Sequence, residues 1–209
     1  MMLAVESSTG RSQALKLSLV TGFGGVLFFI GFVVLGLIAR DYSSARDTIS
    51  ALEFTTVSSM QRINFLVFGL LLCAFAVVLR LELASGRGAN LIPLFQLIAG
   101  LGVIGDAIFI HDPLHLICDL VGFNSALLVL LLFAWRFRYD VHWKGWGAYS
   151  IVTAMLMVAF LTMFGLANHF GGPAGAMEKL ATATRSVWSA LLTIRLLRGV
   201  RLNPVHTPA

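Results

Sequence analysis

The segment Gly105-Asp-Ala-Ile-Phe-Ile-His-Asp-Pro-Leu-His-Leu-Ile-Cys-Asp-Leu-Val-Gly-Phe-Asn124 joins the third hydrophobic run of the chain to the fourth. It is rich in ionisable side chains, although the chain as a whole is 58% hydrophobic and only 12% charged. Asp112 is a favoured N-cap residue and Pro113 a favoured first helical residue, so the pair predicts that the fourth helix begins near Pro113. His115 and Asp119 are then neighbours on one face of that helix.

Two further ionisable groups belong to the same end of the predicted bundle. Asp106 belongs to the end of the third helix, roughly one to two turns before the connection, since an α-helix rises about 1.5 Å per residue. His111 lies in the connection itself, just before the predicted cap. We therefore expect Asp106, His111, His115 and Asp119 to gather at one membrane face and to form a polar centre.

Composition places the chain among membrane proteins. About a quarter of the residues of an ordinary soluble domain are charged, roughly twice the fraction found here, and the mean hydropathy of this chain is +0.88. A run of about 20 apolar residues is long enough to cross the hydrocarbon core of a bilayer. We count six such runs, at about 17–39, 63–81, 91–110, 114–135, 148–167 and 180–198. The sequence predicts an all-α fold, a polytopic transmembrane bundle with six spans in a single membrane domain, residues 17–199.

The distribution of basic residues predicts the orientation of this bundle. With the N-terminus in the cytoplasm, ten of the fifteen Lys and Arg residues lie on the cytoplasmic side, in agreement with the positive-inside rule. Both tails, residues 1–16 and 200–209, are then cytoplasmic, and the connection that contains Asp112 faces outward. The net charge of +5 reflects topology and contact with lipid headgroups, so we expect membrane lipids and no nucleic acid as partners.

The sixth run has a polar face. Glu178, Thr182, Arg185 and Ser189 follow helical spacing, so they share one side of the helix. Arg185 is predicted to lie roughly two turns below the outer surface. An arginine at that depth is costly unless it faces the bundle interior and meets an anion, and the carboxylates expected at a matching depth are those of Asp106, Asp119 and Glu178.

The longest outer loop, residues 40–53, supplies two more candidates. Asp47 and Glu53 either point over the polar centre or serve as helix caps and solvated surface charges. Asn64, near the start of the second run, is typical of an interhelical hydrogen bond. The two cysteines, Cys73 and Cys118, fall within predicted helices and are interpreted as packing residues.

Several short motifs resemble a known family. Arg46-Asp-Thr-Ile-Ser-Ala-Leu-Glu53, Asn64-x-x-x-Phe-Gly69, the Asp/His connection, and Glu178-Lys179 followed by Arg185 and Trp188 are together similar to the six-span prokaryotic membrane proteins of the domain-of-unknown-function 998 family. Members usually have Glu-Arg where this chain has Glu178-Lys179. The resemblance implies a multi-pass, six-span protein of the prokaryotic cytoplasmic (inner) membrane, and it implies no activity.

The leading functional interpretation is an outward-facing pocket, lined by the third, fourth and sixth helices, that binds a lipid or another small amphiphile. One alternative is an accessory or structural subunit of a larger membrane complex, which would have a membrane-protein partner. Another is a metal-dependent hydrolase or a proton-coupled carrier that uses the same cluster, so the sequence leaves open whether the protein is an enzyme. The candidate pocket residues are Asp47, Glu53, Asn64, Asp106, His111, His115, Asp119, His169, Glu178, Arg185 and Trp188.

The cofactor predictions rest on the histidines. His111, His115 and His169, with Asp106 or Asp119, supply the number and type of ligands that a divalent metal such as zinc requires. Pro113, however, interrupts the spacing between the first two histidines, which are therefore not on one regular helix. No haem is expected, because bis-histidine binding within a bundle requires histidines in the middle of facing spans, and none of the five lies there.

Overall fold

The computed structural model describes residues 18–83, 85–110, 112–198 and 202. The predicted N-terminal tail, residues 1–16, lies outside the described residues. So do His111 and the predicted C-terminal tail, residues 200–209, apart from Leu202.

The described residues form six α-helices and contain no strand. α1 (Gly24–Ile38) continues a short 3-10 helix at Val20–Phe23, and a second 3-10 helix, Ser50–Phe54, lies in the connection that follows. The remaining helices are α2 (Ser58–Glu82), α3 (Leu91–Ile108), α4 (Leu114–Phe137), α5 (Trp146–Phe170) and α6 (Ala174–Leu197). Each helix coincides with one of the six hydrophobic runs. The fold is therefore all-α, as the sequence predicts.

Five of these helices, counting Val20–Ile38 as one, are long and apolar enough to cross a membrane, which identifies a multi-pass membrane protein. α6 is not among the five, although its 24 residues make it about 36 Å long. Its hydropathy is lower because it contains Lys179, Arg185 and Arg195, and because its buried side carries a row of polar residues, Glu178, Thr182, Ser186, Ser189 and Thr193. The structure thus supports five of the six predicted spans by composition.

The helices follow one another around a ring. Each helix packs against the next along the chain, and α6 packs against α1 to close the circle. The connections α1–α2, α3–α4 and α5–α6 lie at the same end of the bundle, because successive helices alternate in direction. We call this end the acidic end, since it carries Glu53, Asp106, Asp119 and Glu178.

Glycines on opposite sides of α3 allow it to pack closely against both of its neighbours. A Cβ at Gly100 would lie 2.6 Å from Cys73 Sγ of α2, whereas one at Gly102 would lie 2.9 Å from the Cα of Gly122 in α4. The glycines of α3 therefore do not share one flank. Residues two apart point in widely different directions around a helix, and α3 is the helix between two close partners.

Candidate functional site

The start of α4 is held by the cap that the sequence predicts. Asp112 Oδ1 accepts a hydrogen bond of 2.8 Å from the backbone N–H of Leu114, and the Asp112 carbonyl accepts another from the N–H of His115. An Asp N-cap followed by Pro113 satisfies N–H groups that have no partner within the helix. The prediction for this helix start is confirmed, and the cap determines where the next polar side chains point.

His115 connects the end of α3 to the first turns of α4. Its Nδ1 lies 3.1 Å from the backbone oxygen of Asp106 and 4.0 Å from Asp106 Oδ1. Its Nε2 lies 3.8 Å from Asp119 Oδ2, one turn further along α4. The predicted neighbour relation between His115 and Asp119 is confirmed.

The side chains of Asp106, His115 and Asp119 form a compact group of potential metal ligands. One ligand atom from each residue lies within 4.8 Å of the ligand atoms of the other two. Asp106 is 3% exposed, and its Oδ1 is buried without a hydrogen-bond partner among the described residues. A buried carboxylate oxygen without a partner is energetically costly, so this group is the strongest chemical feature at the acidic end.

A cavity of about 90 Å³ begins beside this group and extends into the ring of helices. Residues from all six helices line it, and most of its wall is apolar, including Phe28, Phe65, Phe68, Leu72 and Met157. Its charged and amide residues come from α3, α4 and α6 only. These residues are Gln96, Asp106, Asp119, Glu178 and Arg185.

Arg185 lines the cavity without a carboxylate partner. Its Nη2 donates a hydrogen bond of 2.7 Å to Gln96 Oε1, and its guanidinium carbon lies 4.6 Å from the ring centroid of Trp188. Its Nε is buried and has no hydrogen-bond partner in the described part of the chain.

The expectation that Arg185 pairs with a carboxylate of the polar centre is therefore not met, since no ion pair within 4.0 Å is found for it among the described residues. The reason is depth. Gln96 precedes Asp106 by ten residues on α3, which corresponds to about 15 Å along the helix. The cavity thus has an acidic end and, deeper in the bundle, a cationic centre.

The indole ring of Trp188 packs against the guanidinium of Arg185. Its indole is fully buried, its Nε1 donates a hydrogen bond of 3.0 Å to Ser150 Oγ of α5, and its ring meets Phe133 of α4 edge to face. Because both its polar atom and its faces are engaged, Trp188 positions the guanidinium and does not line the cavity itself.

The α1–α2 connection closes over the start of α6 through backbone contacts. Glu178 Oε2 accepts a hydrogen bond of 2.8 Å from the N–H of Ile49, and Ile49 lines the cavity. Lys179 Nζ donates to the carbonyl of Asp47 at 2.7 Å and to that of Ser44 at 3.0 Å. Glu178 and Lys179 thus hold one loop from two sides.

Glu53, in the 3-10 helix of the same connection, is buried. It is 3% exposed, and both of its carboxylate oxygens have no hydrogen-bond partner among the described residues. Burial is the largest cause that raises the pKa of Glu53 from 4.5 to about 7; the guanidinium of Arg62 lowers this pKa, and the carboxylate of Asp119 raises it. Glu53 is therefore an interior carboxyl group and not the solvated loop charge that the sequence also allowed.

The other candidate residues do not line the cavity. Asp47 Oδ2 accepts a hydrogen bond of 2.6 Å from the N–H of Ser43 within its own loop. Asn64 Nδ2 donates to the Phe28 carbonyl at 3.2 Å, which is the interhelical bond typical of such a residue. His169 is exposed at the end of α5, where its ring contacts Phe170, and it is absent from the donor group near Asp106.

Two cavity residues that hydrogen-bond to its charged side chains, Gln96 and Ile49, were not predicted from the sequence. Gln96 is an uncharged side chain within an apolar run, and Ile49 is an ordinary hydrophobic residue of a loop. The one available signal for Gln96 was that an amide in the middle of a membrane span needs a hydrogen-bond partner inside the bundle. No local sequence pattern predicts that Ile49 lines the cavity, because its position depends on a contact with a helix more than a hundred residues later.

Comparison with known sequences supports the family resemblance and provides no activity. Comparisons with curated proteins and with solved structures found no match. The family model described as "Protein of unknown function (DUF998)" matches residues 23–195, which is most of the chain and contains every residue of the cavity. The chain therefore belongs to the DUF998 family.

Proposed function

We propose that the protein is a six-span protein of a prokaryotic cytoplasmic membrane, with both termini inside and the acidic end outside. Three features support a sixth span. α6 is long enough to cross a bilayer, and it packs against both α5 and α1 in the ring. Five of its polar side chains, Glu178, Thr182, Ser186, Ser189 and Thr193, are buried, where they avoid lipid. The proposal that both termini lie in the cytoplasm rests on the distribution of Lys and Arg, which follows the positive-inside rule.

We also propose that the cavity binds a lipid or another small amphiphile with an anionic head. The observation that carries this proposal is the Nε of Arg185, a buried donor without a partner on a charged group that faces a cavity. Buried cations in membrane proteins pair with anions, and the described residues provide none within ion-pair distance. A carboxylate or phosphate head would accept a hydrogen bond from Nε and balance the charge.

The walls of the cavity suit an apolar tail. Phenylalanines from α1 and α2 and Met157 from α5 line the same cavity as Arg185. Methionine and aromatic side chains adapt to flexible apolar ligands. An anionic head on Arg185 and the first carbons of a hydrocarbon chain would fill the space of about 90 Å³. A longer chain requires Met157 and the phenylalanine side chains to move apart.

Three ten-carbon probes test this proposal with purified protein in nanodiscs. Decanoate has an anionic head, decanol a neutral head and decyltrimethylammonium a cationic head on the same chain. We expect saturable binding of radiolabelled decanoate and at least about tenfold weaker binding of the other two, since a hydrogen bond to a charged group contributes about 1.5–3 kcal/mol and about 1.4 kcal/mol is a factor of ten. Equal partitioning of all three probes would contradict the proposal.

Two variants test whether Arg185 is the residue that binds the anionic head. Arg185→Gln removes the charge, and Gln96→Glu places a carboxylate where the Gln96 Oε1 now accepts from Arg185 at 2.7 Å, so that an internal ion pair replaces the ligand. Both should weaken decanoate binding at least about tenfold. Arg138→Gln, at an exposed position at the other end of the bundle, is the matched control and should bind normally. Loss of binding in the control alone would contradict the assignment of Arg185.

A further inference from the structure

We propose that Asp106, His115 and Asp119 bind a divalent transition-metal ion such as Zn²⁺ or Mn²⁺. The proposed ligands are one carboxylate oxygen from each aspartate and the Nε2 of the histidine. The three residues come from two helix ends that the α3–α4 connection holds together. The ligand set differs from the one expected from the sequence, because His169 lies elsewhere and His111 lies outside the described residues.

The hydrogen bond of the imidazole determines which nitrogen is available. Nδ1 lies 3.1 Å from the backbone oxygen of Asp106, and a carbonyl oxygen can only accept, so Nδ1 carries the proton and donates. In the neutral ring, Nε2 is then left with its lone pair. Metal-bound histidines commonly donate their other N–H to a backbone carbonyl in this way.

The Nε2 atom of His115 lies near a second acceptor, a carboxylate oxygen of Asp119. Asp119 Oδ2 lies 3.8 Å from Nε2, which is too long for a hydrogen bond. A lone pair and a carboxylate oxygen have no proton to share when the imidazole is neutral. A cation between them would bind both, which is the arrangement of two ligands on one metal ion.

Asp106 provides the independent observation that a ligand belongs here. Its side chain is 4% exposed, it lines the cavity, and its Oδ1 has no hydrogen-bond partner in the described part of the chain. A carboxylate oxygen that has left water without gaining a donor requires a proton or a cation. Two aspartates in one group repel each other when both are ionised, and a divalent ion would balance their charges.

The distances are compatible with a metal site after small side-chain movements. One ligand atom from each residue lies within 4.8 Å of the other two, whereas ligands at about 2.0–2.2 Å from one zinc ion lie roughly 3–3.6 Å apart. Asp119 Oδ2 is 3.8 Å from Nε2, and Asp106 Oδ1 is 4.0 Å from the other ring nitrogen, Nδ1. Closing this difference requires a shift of about an ångström for Asp119 and a rotation of the Asp106 carboxylate from the Nδ1 side of the ring toward Nε2. A set of one imidazole and two carboxylates favours Zn²⁺ or Mn²⁺ over Ca²⁺, which prefers six to eight oxygen ligands.

Metal uptake by purified, chelator-treated protein tests the proposal. After equilibrium dialysis against Zn²⁺, elemental analysis should find about one ion per chain, and Ca²⁺ should not compete. His115→Gln and Asp119→Asn should each weaken Zn²⁺ affinity at least about tenfold, the size of effect typical when a group supporting a metal site is lost. His169→Gln and His142→Gln, which change exposed histidines, should bind as the wild type does.

A measurement on the wild type keeps the test decisive if a ligand variant fails to fold. Electron spin-echo spectra of the Mn²⁺-loaded protein should show one directly bound imidazole nitrogen. Failure of the wild type to take up metal, or a spectrum without bound nitrogen, would overturn the proposal, and so would unchanged affinity in His115→Gln. Arg185→Gln should retain Zn²⁺ while losing decanoate, so this proposal and the proposed function fail separately.

Discussion

Arg185 donates one hydrogen bond to an uncharged amide, Gln96, and stacks on Trp188. A guanidinium is more weakly hydrated than an ammonium group and stacks well on aromatic rings, so an arginine tolerates this environment better than a lysine would. The stacking contributes of the order of 1 kcal/mol, which is small beside the several kcal/mol that burial of a charge costs. The remaining cost is what a bound anion would offset, and this imbalance is the physical basis of the proposed function.

Glu53 leads to a prediction about pH. Its pKa in the folded protein is about 7 compared with an ordinary value of 4.5, so the folded state binds the proton more tightly than the unfolded state does. Its contribution to stability is therefore complete below pH 4.5 and is lost as pH rises toward 7. We expect the difference in Tm between wild type and Glu53→Gln, measured in one detergent, to shift in favour of the variant between pH 4.5 and 7.

Asp41→Asn is the matched control for this experiment. Asp41 is exposed and has a φ of 60°, a backbone conformation that asparagine adopts readily. The control should show the pH dependence of the wild type. A Glu53→Gln variant whose Tm follows the wild type at every pH would show that folding does not raise the pKa of Glu53.

At the level of secondary-structure elements, the start of α6 is held by a loop that is distant in sequence. The N–H groups of Gly175 and Ala176 donate to the carbonyls of Arg46 and Ala45, so the loop satisfies N–H groups that every helix start leaves free. By contrast, α4 satisfies its first N–H groups with the adjacent Asp112. The sequence predicted the Asp112 cap of α4 because an N-cap is a local feature. It could not predict the contact at the start of α6, because no local pattern specifies which loop packs there.

Gly175 is the position at which this docking is most sensitive. A Cβ at Gly175 would lie 2.0 Å from the carbonyl oxygen of Asp47, so Gly175→Ala must displace the loop from the helix. Overpacking of this kind typically costs about 1–3 kcal/mol. We expect a lower Tm, together with weaker decanoate binding because Ile49 moves away from the cavity.

Gly165→Ala in α5 is the comparison for Gly175→Ala. A Cβ there has no neighbour within 4 Å among the described residues, and alanine favours a helix over glycine by roughly 0.5–1 kcal/mol. This variant should be as stable as the wild type or slightly more stable. If both glycine variants behaved alike, the loop would not be held against α6 as described.

At the scale of the whole molecule, the sequence predicts the helices better than it predicts what they bring together. The apolar runs predicted all six helices, because crossing a bilayer requires about 20 apolar residues. The positions of His115 and Asp119 followed from helical spacing. The partner of Arg185 could not be predicted in this way. Helical spacing along α6 does not determine whether α3 has a carboxylate or an amide at the depth of Arg185.

The proposed topology can be tested with reporter fusions. Alkaline phosphatase is active only outside the cytoplasm, whereas green fluorescent protein fluoresces inside it. Six spans with both termini inside predict that a fusion after Arg198 fluoresces and lacks phosphatase activity, and that phosphatase inserted in the α5–α6 connection is active. An active phosphatase after Arg198 would place the end of α6 outside the cytoplasm and would contradict this topology.

The central claim is that the cationic centre of the cavity holds an anionic amphiphile inside the helix ring. Native mass spectrometry of the protein released from nanodiscs of its host membrane tests this most directly. The account predicts that wild type and Arg138→Gln carry a bound amphiphile, identified by its mass after dissociation, and that Arg185→Gln and Gln96→Glu have lost it. Identical spectra for all four proteins, with or without the adduct, would contradict the account.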